Sequence, residues 1–68
     1  MKEIDARGLL CPLPIINLGK AMSQCESGDE LLLHSDDPAT QSDLNAWSRM
    51  TGNTVNPITA TSFLIVKK

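Results

Sequence analysis

Aromatic side chains are nearly missing from this sequence, which has one Trp, one Phe and no Tyr in 68 residues. A stacking platform for nucleic-acid bases needs several such rings on one face. Basic residues are outnumbered as well: six Lys and Arg stand against eight Asp and Glu, for a formal net charge of −2. A phosphate-neutralising face is not expected, which argues against direct nucleic-acid binding. No run is apolar for long enough to span a bilayer. Met1-Lys2-Glu3-Ile4-Asp5 lacks the apolar segment of a secretory signal. The expectation is a cytoplasmic protein with no membrane contact. At 68 residues a single domain, 1–68, is expected, with a thin core and no cleft able to enclose a large substrate. Chemistry then belongs at the surface, on one or two side chains.

Cysteine is also scarce. Two of them, Cys11 and Cys25, do not make a disulfide framework in a small intracellular chain. If both lay on one helix they would stand about 21 Å apart at 1.5 Å per residue, well beyond the roughly 4.4–6.8 Å that a disulfide spans. Each has to be read by itself. The single histidine, His34, has no Cys or His at metal-ligand spacing. Neither a metal nor an organic cofactor is implied.

The residues that are present set out a clear order of elements. Lys2 to Ala6 alternates charged and apolar side chains, as a short strand does. Arg7-Gly8 breaks it, and Cys11-Pro12 opens a helix running to about Glu26. Pro12 suits the first helical position, and Pro14 still falls within the first turn, where backbone N–H groups have no helical partner. Ile15, Leu18, Ala21, Met22 and Cys25 form the stripe expected to be buried, so Cys25 reads as core. Ser27-Gly28 stops the helix.

Glu30 to Ser35 carries three successive leucines, Leu31 to Leu33, and reads as a covered strand. Asp36-Asp37-Pro38 starts a second helix, with Asp37 as N-cap and Pro38 at the first position. Gly52 is placed to end that helix, and Trp47 within it reads as a packing residue. Thr54 to Thr59 is a strand that Pro57 confines to an edge or a bulge. Ser62 to Val66 is apolar on both faces and suits the interior of a sheet. The order β-α-β-α-β-β implies an α/β fold with both helices on one face of a mixed sheet.

The chemistry concentrates in Asp5-Ala6-Arg7-Gly8-Leu9-Leu10-Cys11-Pro12-Leu13-Pro14. A thiol at a helix N-terminus lies in the positive end of the backbone dipole, which favours thiolate. Arg7 is positioned to add positive charge, Leu13 N–H is expected as a free donor to the sulfur anion, and the prolines stiffen the backbone. Dithiol oxidoreductases use Cys-x-x-Cys, in which the second thiol resolves a mixed disulfide. Here Pro14 stands where that resolving thiol belongs. A lone thiolate so placed can hold a sulfur atom as a persulfide until another thiol removes it. On the helical wheel Leu13 and Ile16 fall away from the buried stripe, beside Asn17 and Lys20. An exposed apolar patch beside a reactive thiol suits transient docking of a partner.

Cys-Pro-x-Pro in this register, together with Asp36-Asp37-Pro38-Ala39-Thr40, Gly28 and the Trp47–Gly52 stretch, resembles the TusA-like (SirA-like) sulfurtransferase family. The resemblance covers nearly the whole chain. It implies an α/β two-layer sandwich, two helices on a mixed four-stranded sheet, and a sulfur carrier working through Cys11. It also implies a donor protein such as a cysteine desulfurase or a rhodanese, and an acceptor protein in tRNA thiolation, molybdenum cofactor assembly or sulfur oxidation. Asp37 matches the Asp that lies near the active cysteine and the partner surface in that family. Of the basic residues that help some members dock a donor along the first helix, this chain has only Lys20. Two other functions are open to these residues. One is a non-catalytic regulatory or RNA-binding module, which charge and aromatic content disfavour. The other is a redox sensor in which Cys11 oxidises or joins two chains.

Overall fold

The computed structural model describes residues 2–10 and 13–68. The elements are β1 (Lys2–Asp5), α1 (Leu13–Met22), β2 (Glu30–His34), α2 (Thr40–Thr51), β3 (Thr54–Thr59) and β4 (Ser62–Val66). The four strands form one sheet in the order β1-β2-β4-β3. β1 runs parallel to β2, while β2 with β4 and β4 with β3 pair antiparallel. The sheet is mixed, and β4 lies inside it as its two-sided apolarity required.

Alternation along the strands decides which face is covered. Leu31 and Leu33 of β2 pair with Ile65 and Phe63 of β4, and all four are buried. They join Leu18 and Met22 of α1 and Leu44 and Trp47 of α2 in one cluster, so both helices cover the same face. The opposite face keeps Leu32, Leu64 and Val66 half-buried, alongside Glu3, which pairs with Leu32. The fold is the α/β two-layer sandwich the element order implied. Pro57 sits on edge strand β3, where its missing N–H costs no interior ladder bond, and the register slips between Pro57 and Thr59.

Two boundaries differ from the sequence reading. α1 stops at Met22, not near Glu26. Beyond it Gln24 N–H donates to Ala21 O at 3.1 Å and Cys25 N–H to Met22 O at 3.0 Å, a tighter i→i−3 winding. Lys67 Nζ also donates to the Met22 carbonyl, at 2.8 Å, capping the end from the other side of the chain. Cys25 is therefore off the helix, and helical spacing does not describe its separation from Cys11. It is still core, 9% exposed, and its thiol donates to Ala21 O at 3.4 Å.

The second difference is the start of α2. The helix begins at Thr40 with Ala39 at the cap, and no side chain caps it there. Asp37 instead serves the turn before it: Asp37 Oδ1 accepts from Ala39 N–H at 2.9 Å, and the Asp37 carbonyl accepts from Thr40 N–H at 3.0 Å. The helix ends as expected. Gly52 takes φ 81° and donates its N–H to Ser48 O at 2.8 Å, a backbone conformation in which a Cβ is strained.

Candidate functional site

The segment linking β1 to α1 is short and heavily tied. Ala6 N–H donates to His34 O at 2.7 Å, which carries the parallel ladder one residue past the strand. The chain then turns through Arg7 and Gly8, with Gly8 at φ 83°, and Leu9 N–H donates back to Ala6 O at 3.2 Å. Gly8 N–H donates to Asp36 Oδ1 at 2.9 Å, a contact across 28 positions of sequence. Further on, Leu13 N–H donates to Leu10 O at 2.9 Å. The Leu13 N–H is thus already engaged, and is not the free donor to a sulfur anion that the sequence suggested.

Arg7 is committed as well. Its guanidinium forks onto Asp5, Nε to Oδ1 at 2.9 Å and Nη2 to Oδ2 at 3.0 Å, and Arg7 N–H donates to Asp5 Oδ1 at 3.1 Å. These bonds from Arg7, side chain first and backbone second, hold the Asp5 carboxyl at about 2, well below the ordinary carboxylate range. The same bond, with the charges of Asp5 and then Asp36, raises the Arg7 pKa above its ordinary value. Arg7 is therefore matched by carboxylate charge at close range, and its evident part is to lock the turn.

Cys11 and Pro12, the centre of the sequence reading, lie outside the described residues. Around them Pro14 is buried in the first turn of α1 and counts among the largest fully buried side chains, so it packs the core besides lacking a donor. Leu13 and Ile16 are exposed, at 47% and 46%, as the helical wheel indicates, and Leu10 is more so at 74%. Leu10 escaped the sequence reading because it precedes the helix. The spacing 10, 13, 16 was the signal available. Lys20 is exposed on α1, four residues beyond Ile16.

Opposite this segment stands the turn Ser35–Thr40. Ser35 and Thr40 are both buried, and their hydroxyls bond at 2.7 Å. Ser35 N–H donates to Thr61 O at 2.9 Å. Asp36 and Asp37 are thereby held with their carboxylates in use, Asp36 on the Gly8 amide and Asp37 on the Ala39 amide. Sequence reasoning found Asp37 and overlooked the buried hydroxyl pair and the reach of Asp36.

The family model for sulfurtransferase TusA matches residues 2–67. This chain belongs to that family. Among TusA relatives, YrkI of Bacillus subtilis, which its name makes a sulfur carrier protein, is 46% identical over 52 residues, covering 76% of this chain and 69% of that one. The sulfur carrier protein TusA of Allochromatium vinosum is 40% identical over 52 residues, covering 76% of this chain and 68% of that one. The crystal structure of a SirA-like protein from Desulfitobacterium hafniense superposes with a TM-score of 0.76 at 23% identity, covering 97% of this chain and 95% of that one. That likeness bears on the fold alone. Among the described residues no helix is long and apolar enough to cross a membrane.

Proposed function

We propose that this chain is a sulfur carrier in which Cys11 accepts sulfur as a persulfide and relays it to an acceptor protein. The observation that carries the reading is that Cys11-Pro12-Leu13-Pro14 lies within a TusA match running from residue 2 to 67. Relatives that bear the sulfur-carrier name at 46% and 40% identity support it.

In the loading step the Cys11 thiolate attacks the terminal sulfur of a donor's persulfide. The donor's S–S bond breaks, a new S–S bond forms at Cys11, and the donor leaves as a thiolate. Sulfur moves without net oxidation or reduction. In delivery an acceptor thiolate attacks the terminal sulfur on Cys11, and the Cys11 thiolate leaves. Both steps gain from a thiol that ionises readily, as an attacking group at neutral pH and as a leaving group. With Pro14 in place of a resolving cysteine, no thiol within the motif discharges the persulfide early.

The activity is that of a sulfurtransferase working between proteins rather than on a free small molecule. The donor is a cysteine desulfurase or a rhodanese. The acceptor serves tRNA thiolation, molybdenum cofactor assembly or sulfur oxidation in the cytoplasm. Arg7 and the two prolines, Pro12 and Pro14, stiffen the backbone on either side of the sulfur, and Asp37 holds the facing turn. Leu13 contributes its side chain: with Ile16 and Lys20, and with Leu10 before them, it forms the surface on which donor and acceptor dock in turn.

The test is intact-mass analysis after incubation with a desulfurase and cysteine, or with thiosulfate and a rhodanese. The expected result is gain of one sulfur atom, removed by reductant and absent in Cys11→Ser. A chain that gains no sulfur from either donor, or gains it equally without Cys11, overturns the proposal.

A further inference from the structure

We propose that Asp36 is a positioning residue for Cys11, acting through the Gly8 amide to fix the chain that presents the sulfur. The inference rests on the carrier reading of Cys11 and extends it to a residue that makes no contact with substrate.

The segment from Ala6 to Leu10 has no regular secondary structure of its own. Most of its ties are local or backbone. The Asp5–Arg7 fork joins residues two apart, and Leu9 reaches only to Ala6. A tie of this kind stiffens a turn without fixing where the turn sits on the molecule. Ala6 is held to His34 by backbone, but that bond comes before the turn. Among the described hydrogen bonds, Gly8 N–H to Asp36 Oδ1 at 2.9 Å is the one that anchors the turn itself to a distant side chain.

The anchor is well founded. Asp36 follows Ser35, whose buried hydroxyl bonds Thr40 and whose amide bonds Thr61. It precedes Asp37, whose carboxylate is fixed on Ala39 N–H. The accepting carboxylate thus stands on a turn pinned on both sides. A hydrogen bond from a backbone amide to an ionised carboxylate is also about twice as strong as a neutral one.

Cys11 follows Gly8 by three residues. On the other side Leu13 N–H donates to Leu10 O at 2.9 Å. Freedom at Gly8 bears on the chain that follows, because among the described residues Leu9 and Leu10 hydrogen-bond only to Ala6 and Leu13, with Leu9 alone packed against the core. Sulfur transfer between two proteins is sensitive to such freedom, since the attacking and leaving sulfurs must align within a fraction of an ångström.

The test compares the full chain with its Asp36→Ala and Asp36→Asn variants. Asparagine keeps an Oδ1 acceptor for Gly8 and loses the charge, whereas alanine loses both. Alkylation of Cys11 by iodoacetamide is followed against pH by tryptic peptide mass. Cleavage after Arg7 and Lys20 puts Cys11 and Cys25 in separate peptides. Sulfur loading from a desulfurase is measured in parallel. Asp36→Ala is expected to shift the alkylation midpoint and to slow loading on the order of tenfold. Asp36→Asn is expected to restore most of both. An alanine variant identical to wild type in profile and loading overturns the proposal. So does an asparagine variant that behaves as alanine, which assigns the effect to charge. Should Asp36→Ala not fold, the wild-type Gly8 amide proton decides: its NMR shift must follow the Asp36 carboxyl titration, and indifference overturns the proposal. If wild-type Cys11 takes up no sulfur, the carrier reading falls, while the alkylation profiles still judge Asp36.

Discussion

The chain is tied in different ways at the two ends of α1. At the C-terminal end Cys25 is folded under a tight turn with its thiol bonded to Ala21 O, and Lys67 closes the helix by donating to Met22 O at 2.8 Å. At the N-terminal end Leu10, Leu13 and Ile16 are exposed, while Pro14 between them is buried. The carboxylates of that end accept from the backbone leading up to the cysteine, Asp5 from Arg7 N–H and Asp36 from Gly8 N–H. Past the C-terminal end of α1 one sulfur, that of Cys25, is buried as packing, and the two ends differ in how the chain is tied on each side.

Exchanging the two sulfurs for oxygen gives the largest expected contrast. Cys11→Ser is expected to lose sulfur loading entirely with an unchanged melting curve. Cys25→Ser is expected to load normally and to lose about 1–3 kcal/mol of stability, because a hydroxyl replaces a core thiol. Calorimetry with intact mass reads both. Loading that depends on Cys25 as much as on Cys11 breaks the comparison.

The exposed end can be tested without touching the thiol. Leu13→Glu and Ile16→Glu are expected to slow transfer to and from partner proteins, with melting near wild type and iodoacetamide reactivity at Cys11 retained. Equal transfer kinetics in a stopped-flow or quench experiment remove the docking surface from the account. Leu18→Ala, on the opposite side of the same helix, is expected to do the reverse. It costs about 2–5 kcal/mol, enough to unfold much of so small a domain, and chemical denaturation reads it directly.

The smallest expected effect concerns the Asp5–Arg7 lock. The Asp5 carboxyl ionises at about 2 in the folded chain against an ordinary 3.8, so its contribution is fully present above the ordinary value and is lost as pH falls through about 2. The stability difference between wild type and Asp5→Asn should therefore be constant at neutral pH and shrink between about pH 4 and pH 2. The pair is exposed, so the difference should be small and weaken with salt. A difference that grows on acidification contradicts the assignment.

Much of the fold was legible because local rules and global packing agree. Three successive leucines had to be a covered strand, and Pro57 had to be at an edge. Gly52 was placed one residue past the helix it ends. What could not be read were bonds between distant positions. α1 ends early where Lys67, 45 positions away, takes the Met22 carbonyl. Asp37 does not cap α2 because its carboxylate closes the preceding turn on Ala39, where the buried pair of Ser35 and Thr40 fastens the helix start to β2. The candidate site divides in the same way. Cys-Pro-x-Pro and the exposed face of Leu13 and Ile16 follow from residue type and spacing. The commitment of Leu13 N–H to Leu10, and the span from Asp36 to Gly8, depend on how the chain returns on itself.

The most direct measurement follows radiolabelled sulfur from a donor onto two single-cysteine chains, Cys25→Ala and Cys11→Ala, and then to an acceptor protein bearing a reactive thiol. The account predicts that the chain retaining Cys11 takes the label as a reductant-labile persulfide and passes it on, and that the chain retaining Cys25 takes none. Label on the Cys25 chain, or label on Cys11 that no acceptor thiol can remove, contradicts it.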